Sequence, residues 1–354
     1  MRTRPRAPVL AGALIAASVG LAATAAAPAA AATTYTITDL GSLGQGESDA
    51  SAVNAAGEVT GYSYLSTLVP TPECPPVYGN TKKTCVEHPW HAFLYSNGQM
   101  SDLGTLGGHI SVGSAINRSG WVVGASTTSS GGSDAFLWNG GKKMIDLGGL
   151  APLAGSAGSW ATGINDSGQV VGRYGTGDVE HAFSYSNGTM TGLPEPSFTN
   201  GTGCEAMSIN NTGQIGGVCD DTSSNTHLVL WQNGAVSDLG ILVSPGTEPP
   251  GIQALSINNT GQIAGTVFVN GASEGFEYSH GTITNLGSFL AASINDNGVM
   301  VGGSSIDNGG TVQDLNTLIP AGSGYQIQYA TAINNTGQIV ANTTSSHALL
   351  LTPG

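Results

Sequence analysis

Short apolar segments with a period of two residues alternate with turn residues along most of the chain. One of them reads Ala-Ile-Asn117-Arg-Ser-Gly-Trp-Val-Val-Gly and is one of seven copies of the pattern small-Ile-Asn-x-x-Gly-x-Val-x-Gly. Alternating segments on both sides of an Asn-x-x-Gly turn predict a β-hairpin, and no segment of useful length has the 3.6-residue period of a helix. The asparagines of the seven copies are Asn54, Asn117, Asn165, Asn210, Asn258, Asn295 and Asn334.

A second motif alternates with the first and also predicts a hairpin. It runs from His91-Ala-Phe-Leu-Tyr through a Ser-Asn-Gly turn to Asp102-Leu-Gly104, and related copies start at Asp134, His181, His227 and Glu274. Two hairpins give four strands per unit of roughly 45 residues, which is the size of a β-propeller blade. We label these strands a (Ile-Asn), b (Val-x-Gly), c (His-Ala-Phe) and d (Asp-Leu-Gly).

The two ends of the repeat region complement each other. Tyr35–Gly41 is a strand d with no strand c before it, and His347–Leu351 is a strand c with no strand d after it. Joined, they complete a seventh blade, and closure removes the exposed edges of a linear array. The sequence therefore predicts an all-β fold, a seven-bladed β-propeller closed by pairing of its N- and C-terminal strands.

Two places depart from the repeat. After Asn295 the His-Ala-Phe element is missing or compressed into Ser304–Ile306, so blade six is predicted to be short or three-stranded. Residues 65–89 form an insertion between strands b and c of blade one, which accounts for the 63-residue interval between Asn54 and Asn117.

Residues 1–32 have the composition of a secretory signal peptide. Arg2, Arg4 and Arg6 form a basic start, an Ala-rich apolar run follows, and small residues up to Ala32 offer a cleavage site. A membrane anchor is disfavoured because small and polar residues interrupt the apolar run and no stop-transfer pattern follows. We therefore predict a secreted, extracellular protein whose residues 33–354 form a single propeller domain.

Four cysteines in an exported chain predict two disulfides, Cys74–Cys85 inside the insertion and Cys204–Cys219 in blade four. If Asn210 pairs with Gly213 across its turn, the hairpin register also places Cys204 opposite Cys219. A zinc site built from all four cysteines is disfavoured because their spacing contains no Cys-x2-Cys knuckle.

The chain is strongly acidic, with 9 Lys and Arg, 23 Asp and Glu, and a formal net charge of −14. Such a surface repels nucleic acid and anionic lipid, so neither a nucleic acid nor a membrane is predicted as a partner. The acidity leaves calcium open, but no Asp-x-Asp-x-Asn-Gly loop supports it. No metal and no cofactor is predicted.

The segments His91-Ala-Phe-Leu-Tyr, Met100-Ser-Asp-Leu-Gly-Thr-Leu-Gly-Gly and Ser114-Ala-Ile-Asn-Arg-Ser-Gly-Trp-Val-Val-Gly-Ala-Ser resemble the extracellular HAF repeat family of bacteria. This resemblance covers nearly all of the chain after residue 32, except blade six and the insertion, and implies export and repetition without a general activity. Within the family, the plan is similar to the dispase autolysis-inducing proteins of actinomycetes. These secreted propellers act on a metalloprotease without being proteases and serve as transglutaminase substrates, which would make Gln45 and Gln99 candidate acyl donors.

Binding residues are expected in or beside the d-to-a connections, because variable loops on a rigid ring suit recognition. Trp160 could instead cap the core. Glu195 and Glu205 could form a glycosidase-like pair of carboxylates, but they could also belong to a solvated acidic rim. No nucleophile elbow, zinc helix or phosphate loop is convincing. The predicted binding residues are His109, Trp160, Phe198, Glu205 and Tyr325.

Two repeated side chains allow a functional and a structural interpretation. The histidines that open strand c could form a ring of metal ligands, but each belongs to a different blade, which favours a structural role. The seven asparagines could form a cation site, but Asn is also a common turn former, because its side chain bonds the local backbone. The histidines are His91, His181, His227 and His347.

From these observations we predict a monomeric, non-enzymatic protein that binds or modulates an extracellular protein, possible partners being a secreted metalloprotease or a transglutaminase. A carbohydrate-binding or carbohydrate-active propeller and a structural envelope or matrix protein are the alternatives.

Overall fold

The computed structural model describes residues 34–44, 46–71, 85–148, 158–176, 179–199, 202–243, 251–269 and 271–354. The predicted signal peptide, Gln45 and Cys74 lie outside these ranges, and so does the predicted Cys74–Cys85 bridge. Within the described ranges, no helix is long and apolar enough to span a membrane.

The described strands form seven four-stranded antiparallel sheets, each in the order a-b-c-d, which confirms the predicted seven-bladed propeller. The first three blades contain β2 (Ser48–Val53), β3 (Val59–Tyr64), β6 (Trp90–Ser96) and β7 (Gln99–Asp102); β8 (Gly107–Ile116), β9 (Val122–Thr128), β10 (Ser133–Trp138) and β11 (Ile145–Asp146); and β12 (Gly158–Ile164), β13 (Val170–Thr176), β14 (Val179–Ser186) and β15 (Thr189–Gly192). The insertion in blade one contributes a separate two-stranded sheet, β4 (Val69–Thr71) with β5 (Cys85–Glu87).

The next three blades continue the same order. They contain β16 (Cys204–Ile209), β17 (Ile215–Asp220), β18 (Thr226–Gln232) and β19 (Ala235–Val243); β20 (Gly251–Ile257), β21 (Ile263–Val269), β22 (Ala272–Ser279) and β23 (Thr282–Gly287); and β24 (Ser293–Ile294), β25 (Met300–Gly302), β26 (Ser305–Asn308) and β27 (Thr311–Asp314). Blade six is therefore short, as predicted, and has four strands rather than three. Its third strand, β26, overlaps the segment Ser304–Ile306 in which a compressed strand c was expected. A 3₁₀ helix, η1 (Leu315–Thr317), follows it, and the Asp314 side chain caps this helix by accepting a hydrogen bond from the Asn316 amide.

Blade seven combines both ends of the repeat region, as predicted. Its strands are β28 (Ile327–Ile333), β29 (Ile339–Thr343), β30 (Ala348–Pro353) and, from the N-terminal end, β1 (Tyr35–Asp39). Strand β1 pairs antiparallel with β30, from Tyr35 opposite Pro353 to Asp39 opposite Leu349. Side chains fasten the same seam, because Asp39 Oδ2 accepts a hydrogen bond from the Tyr325 hydroxyl at 2.8 Å and lies 2.9 Å from His347 Nδ1.

The glycine of the b motif makes room for the aromatic ring of strand c. In blade three Gly172 pairs with Phe183, and a Cβ on Gly172 would lie 2.8 Å from the Phe183 ring and would overlap the carbonyl oxygen of Trp160.

In blade four strand c carries Val229 opposite Gly217, and a Cβ on Gly217 would lie 2.7 Å from the Trp231 ring instead. Blade seven pairs Ala341 with Leu349. In blades three and seven a small residue on one strand faces a large one on the other, as close packing requires.

The hairpin of blade four contains the predicted disulfide between Cys204 and Cys219. The two cysteines are directly opposite each other, and their Cα atoms are 4.2 Å apart. A β-bulge between Ala206 and Ser208 shifts the register near the turn. This shift offsets the extra residue of the turn, where the Asn210 amide donates to the Gln214 carbonyl, so the predicted pairing holds at the cysteines.

The seven motif asparagines are buried and form a closed ring of hydrogen bonds. In each copy Oδ1 accepts the backbone N–H groups two and four residues later, so the asparagine side chain shapes its own a–b turn; Asn117 accepts from Ser119 and Trp121, both at 3.0 Å. In each copy Nδ2 donates to the main-chain carbonyl of the asparagine in the next blade, at distances from 2.9 to 3.3 Å. The bond from Asn334 to Asn54 completes the circle.

This arrangement confirms the structural interpretation of the asparagines. The side-chain oxygen of each ring asparagine accepts two turn amides, and its side-chain nitrogen donates to a main-chain carbonyl, so both groups have a structural role.

Replacing Asn117 by Asp tests the ring bond separately from the turn. The carboxylate keeps both turn acceptors, but an oxygen then faces the carbonyl of Asn165. Loss of a buried donor costs about 1–3 kcal/mol, so we expect thermal unfolding to shift down by roughly 2–6 °C. The control is Asn97→Asp, the same chemical change in an exposed c–d turn. Equal unfolding temperatures for the two variants would contradict a stabilising role of the ring bond.

Candidate functional site

The innermost strands present side chains at the face opposite the asparagine ring. Each strand a runs toward its asparagine, so residues at its beginning lie near the d-to-a and b-to-c connections; we call this end the loop face. In blades one, two, three, four and seven the same β-bulge, three residues before the asparagine, keeps these strands in equivalent register. Five residues before the asparagine, these blades carry Asp49, Val112, Trp160, Glu205 and Tyr329.

Asp49 lies between blades one and seven. Its carboxylate accepts hydrogen bonds from the Tyr329 hydroxyl and, at 3.0 Å, from Asn342 Nδ2. Burial raises the pKa of Asp49, while the bond from Tyr329 acts against that rise. Tyr62 is opposite Asp49 in the register, and burial followed by the charge of Asp49 raises the pKa of Tyr62 to about 12. The group therefore combines a partly desolvated carboxyl with two phenols that stay neutral over the physiological pH range.

Aromatic rings extend this group toward the insertion of blade one. The ring centroids of Tyr62, Tyr64 and Trp90 lie 5.5 to 6.3 Å apart in edge-on or tilted arrangements. Such geometry is favourable for aromatic pairs beyond the area they bury. We refer to Asp49, Tyr62, Tyr64, Trp90 and Tyr329 as the Asp49 cluster.

A second group surrounds Trp160. Its indole is 36% exposed, and its Nε1 donates to Ser114 Oγ at 2.8 Å. Trp160 borders a pocket of about 280 Å³ together with Arg173, which is opposite it in the register, and Glu180. Arg173 forms an ion pair with Glu205 of the next blade at 2.5 Å. We call this the Trp160 pocket.

The structure brings two of the five predicted binding residues together, Trp160 and Glu205, through Arg173. Both lie within strands a rather than in d-to-a connections, as does His109, which is an exposed residue of β8. Predicting Trp160 and His109 as connection residues was wrong because strand a begins five or more residues before its asparagine and is longer than the Ile-Asn motif suggests. Glu205 was predicted to flank the connection between blades three and four, and it is the second residue of β16.

The other two predicted residues lie in connections and have structural contacts. Phe198 stacks on His227 with ring centroids 4.2 Å apart and packs against the core between blades three and four. Tyr325 bonds Asp39 at the closing seam and lies edge-on to His347.

Sequence reasoning missed the Asp49 cluster. Asp49 and Tyr329 are 280 residues apart, and neither belongs to a motif. The available signal was positional, because both occupy the same place relative to a ring asparagine as Trp160 and Glu205 do.

The histidines of strand c pair with acids of strand d or, in blade three, with an acid of the connection that follows strand d. His91 contacts Asp102 at 2.8 Å, and burial alone would raise the pKa of Asp102, but hydrogen bonds from His91 and the Gly104 amide lower it. In blade five Glu274 replaces histidine and accepts from Asn285, which replaces the acid, at 2.7 Å. The remaining histidine pairs of this kind are His181–Glu195, His227–Asp238 and His347–Asp39.

These pairs explain the histidines without a metal. Each contact links strand c to strand d, or to the connection after it, within one blade. Within the described ranges, no group of three or more His, Cys, Asp or Glu side chains is placed to hold a metal ion. The carboxylates of Glu195 and Glu205 are engaged with His181 and Arg173 respectively, so they do not face each other as a glycosidase pair.

Comparison with known proteins supports the fold. The chain matches no protein family by sequence, and no curated protein matches it. Its structure is similar to that of a catalytically inactive virginiamycin B lyase from Staphylococcus aureus with quinupristin, with a TM-score of 0.53 and 11% identity over 90% of this chain and 99% of the lyase. The β-propeller domain of the Trilobed protease from Pyrococcus furiosus aligns with a TM-score of 0.48 and 10% identity over 77% of this chain and 84% of that domain. At these identities the likeness concerns the propeller fold alone.

Blade two departs from the histidine–acid pattern and gives a pH-dependent prediction. Asp134 stands where histidine stands in other blades, and burial and then the charge of Asp146 raise the pKa of Asp134. A carboxyl whose folded pKa is raised stabilises the fold at pH values below its unfolded pKa, near 4, and this stability is lost as the pH rises through the folded value. We expect Asp134→His to raise the unfolding temperature by about 1–3 °C at pH 6 relative to the wild type. The gain should shrink toward pH 4.

The matched control is His91→Asp, which creates the acid–acid pair of blade two in blade one. It should lower the unfolding temperature at pH 6. Shifts of the same sign in both variants would show that the pairing of strands c and d does not set the effect.

Proposed function

We propose that this protein is secreted, monomeric and non-enzymatic, and that it binds an extracellular protein through its loop face. The observation that carries the proposal is the concentration of Trp, Tyr and Arg side chains at the loop face, on strands a, b and c. These residue types dominate binding energy at protein interfaces, where they are held by rigid surroundings. Trp160 is held by Ser114 and Arg173 by Glu205 in this way.

The carboxylates of the loop face support binding rather than catalysis. Asp49 is held by Tyr329 and Asn342, and Glu205 is held by Arg173, so each acid has a structural partner. A general acid and a nucleophile would need to face a shared substrate position. A disulfide such as Cys204–Cys219 is typical of oxidising compartments and supports export.

A secreted metalloprotease is the partner we favour. The resemblance of the repeats to the HAF family and to the dispase autolysis-inducing proteins supports this choice. The formal net charge of −14 favours a partner with a basic surface, because complementary charge accelerates association. Binding would then promote the autolysis of the protease without any chemistry by the propeller.

The test follows the decay of a secreted neutral metalloprotease with and without the purified protein. We expect the wild type to shorten the protease half-life, and Trp160→Ala and Asp49→Asn to reduce the effect by about tenfold or more, as for an interface hot spot. Val312→Ala, an exposed apolar residue of blade six, should leave the effect unchanged. An unaltered half-life with the wild type, or equal loss in all three variants, would overturn the proposal; binding to a polysaccharide panel instead would favour the carbohydrate alternative.

We also propose that the protein serves as a transglutaminase substrate through Gln99. This residue is exposed and begins β7 directly after the Asn97-Gly98 turn of blade one. We expect a transglutaminase to incorporate a fluorescent primary amine into the wild type and to lose most of that labelling with Gln99→Asn. Gln313 of blade six, replaced by Asn, is the control and should leave labelling unchanged. Full labelling of Gln99→Asn would remove Gln99 as the acyl donor.

A further inference from the structure

A second ring of contacts lies beside the asparagine ring, made by the residue that follows each asparagine. In most blades the backbone N–H of this residue donates to a side-chain oxygen of the corresponding residue in the next blade. Five of these bonds are present, at 2.8 to 2.9 Å. Each residue donates to the next one in the series Arg118, Asp166, Asn211, Asn259, Asp296 and Asn335.

The second ring is interrupted in blade one. In blade one the residue after the asparagine is Ala55, whose methyl group cannot accept a hydrogen bond from the Asn335 amide. In blade two it is Arg118, whose guanidinium cannot accept a hydrogen bond from the Ala55 amide. The N–H groups of Asn335 and Ala55 therefore have no acceptor within the described part of the chain. Two consecutive donors thus lack the oxygen that five other blades supply.

The interruption opens into a cavity. Ala55, Arg118 and Asn335 all line a space of about 250 Å³ at the mouth of the central channel. The Arg118 side chain forms no ion pair with any described acid, although the protein is acidic. A guanidinium and two backbone N–H groups facing one opening are the donor set that binds a carboxylate.

We propose that this opening binds a carboxylate anion, which takes the place of the Asp or Asn side chain present in the other blades. One carboxylate oxygen would accept from the Asn335 amide and the other from the Ala55 amide, and the Arg118 guanidinium would neutralise the charge. The source of the carboxylate is either a small free acid or an acidic side chain of a partner.

The acids of the same ring set the strength of the site. Asp166 accepts bonds from the Arg118 amide and Asn211, and Asp296 accepts bonds from Asn259 and Asn335. These two carboxylates lie in the same ring and repel a bound anion. We therefore expect the affinity for a small carboxylate to be in the millimolar range. The site lies at the opposite end of the innermost strands from the loop face, so it stands or falls independently of the proposed function.

The probe is acetate, which is the side chain of aspartate without its backbone, and acetamide is its neutral counterpart. Amide resonances of the full domain are followed by NMR during titration at constant ionic strength. We expect saturable shifts of the Ala55 and Asn335 amides with acetate and binding weaker by about fivefold or more with acetamide. Arg118→Gln should weaken acetate binding to the level of acetamide, whereas Lys142→Gln, which removes an exposed charge elsewhere, should not.

A second variant completes the ring instead of weakening it. Ala55→Asn supplies the missing oxygen to Asn335, so the Asn335 amide should no longer respond to acetate and the unfolding temperature should rise. Absence of saturable shifts in the wild type, or equal shifts in the wild type and in both ring variants, would overturn the proposal.

A blocked aspartyl peptide distinguishes the two sources. Shifts with acetate and peptide alike support an acidic side chain of a partner as the ligand, and shifts with acetate alone support a small free acid.

Discussion

The circle of seven asparagine hydrogen bonds is the constraint on which the rest of the molecule depends. Each side chain does two tasks, because its oxygen fixes the turn of its own blade and its nitrogen reaches the backbone of the next. Since the same atoms set the local turn and the spacing between blades, the angle between neighbouring blades is defined at the channel. Aspartate could accept the two turn amides but could not donate to the carbonyl of the next blade, so the hydrogen bond between the two blades would be lost.

The loop face and the channel mouth inherit their positions from this circle. Asp49 and Trp160 belong to different blades, yet both lie five residues before a ring asparagine and therefore at the same height. The second ring is offset by one residue from the first, so its interruption at Ala55 and Arg118 is also held in place. Rigid scaffolding of this kind lets single substitutions in strands a change recognition without altering the fold.

The repeats made the architecture predictable because they are local. Hairpin turns, the order of the strands and the shared terminal blade follow from spacing along the chain, and so does the Cys204–Cys219 pairing. The Asp49–Tyr329 contact and the cross-blade Asn117–Asn165 bond could not be predicted in the same way. They depend on how one blade packs against the next, which no pattern within a single repeat encodes.

The wrong placement of Trp160 and His109 in connections has a related cause. The Ile-Asn motif marks only the end of strand a, whereas its beginning carries whichever side chains suit the face it reaches. Because different blades carry different residues at this position of the repeat, these residues resemble loop sequence until the register is known. The exchange of a histidine–acid pair for Glu274 with Asn285 shows the same freedom, since the contact is kept while both partners change.

The pairing of β1 with β30 has a consequence for how the molecule folds. The first strand to emerge finds its partner only when the last one is available, more than 300 residues later. Pairing over such a sequence separation makes closure slow, and until then β1 and β30 present unpaired edges to solvent. Those edges are protected from pairing with other chains only once the seventh sheet is complete.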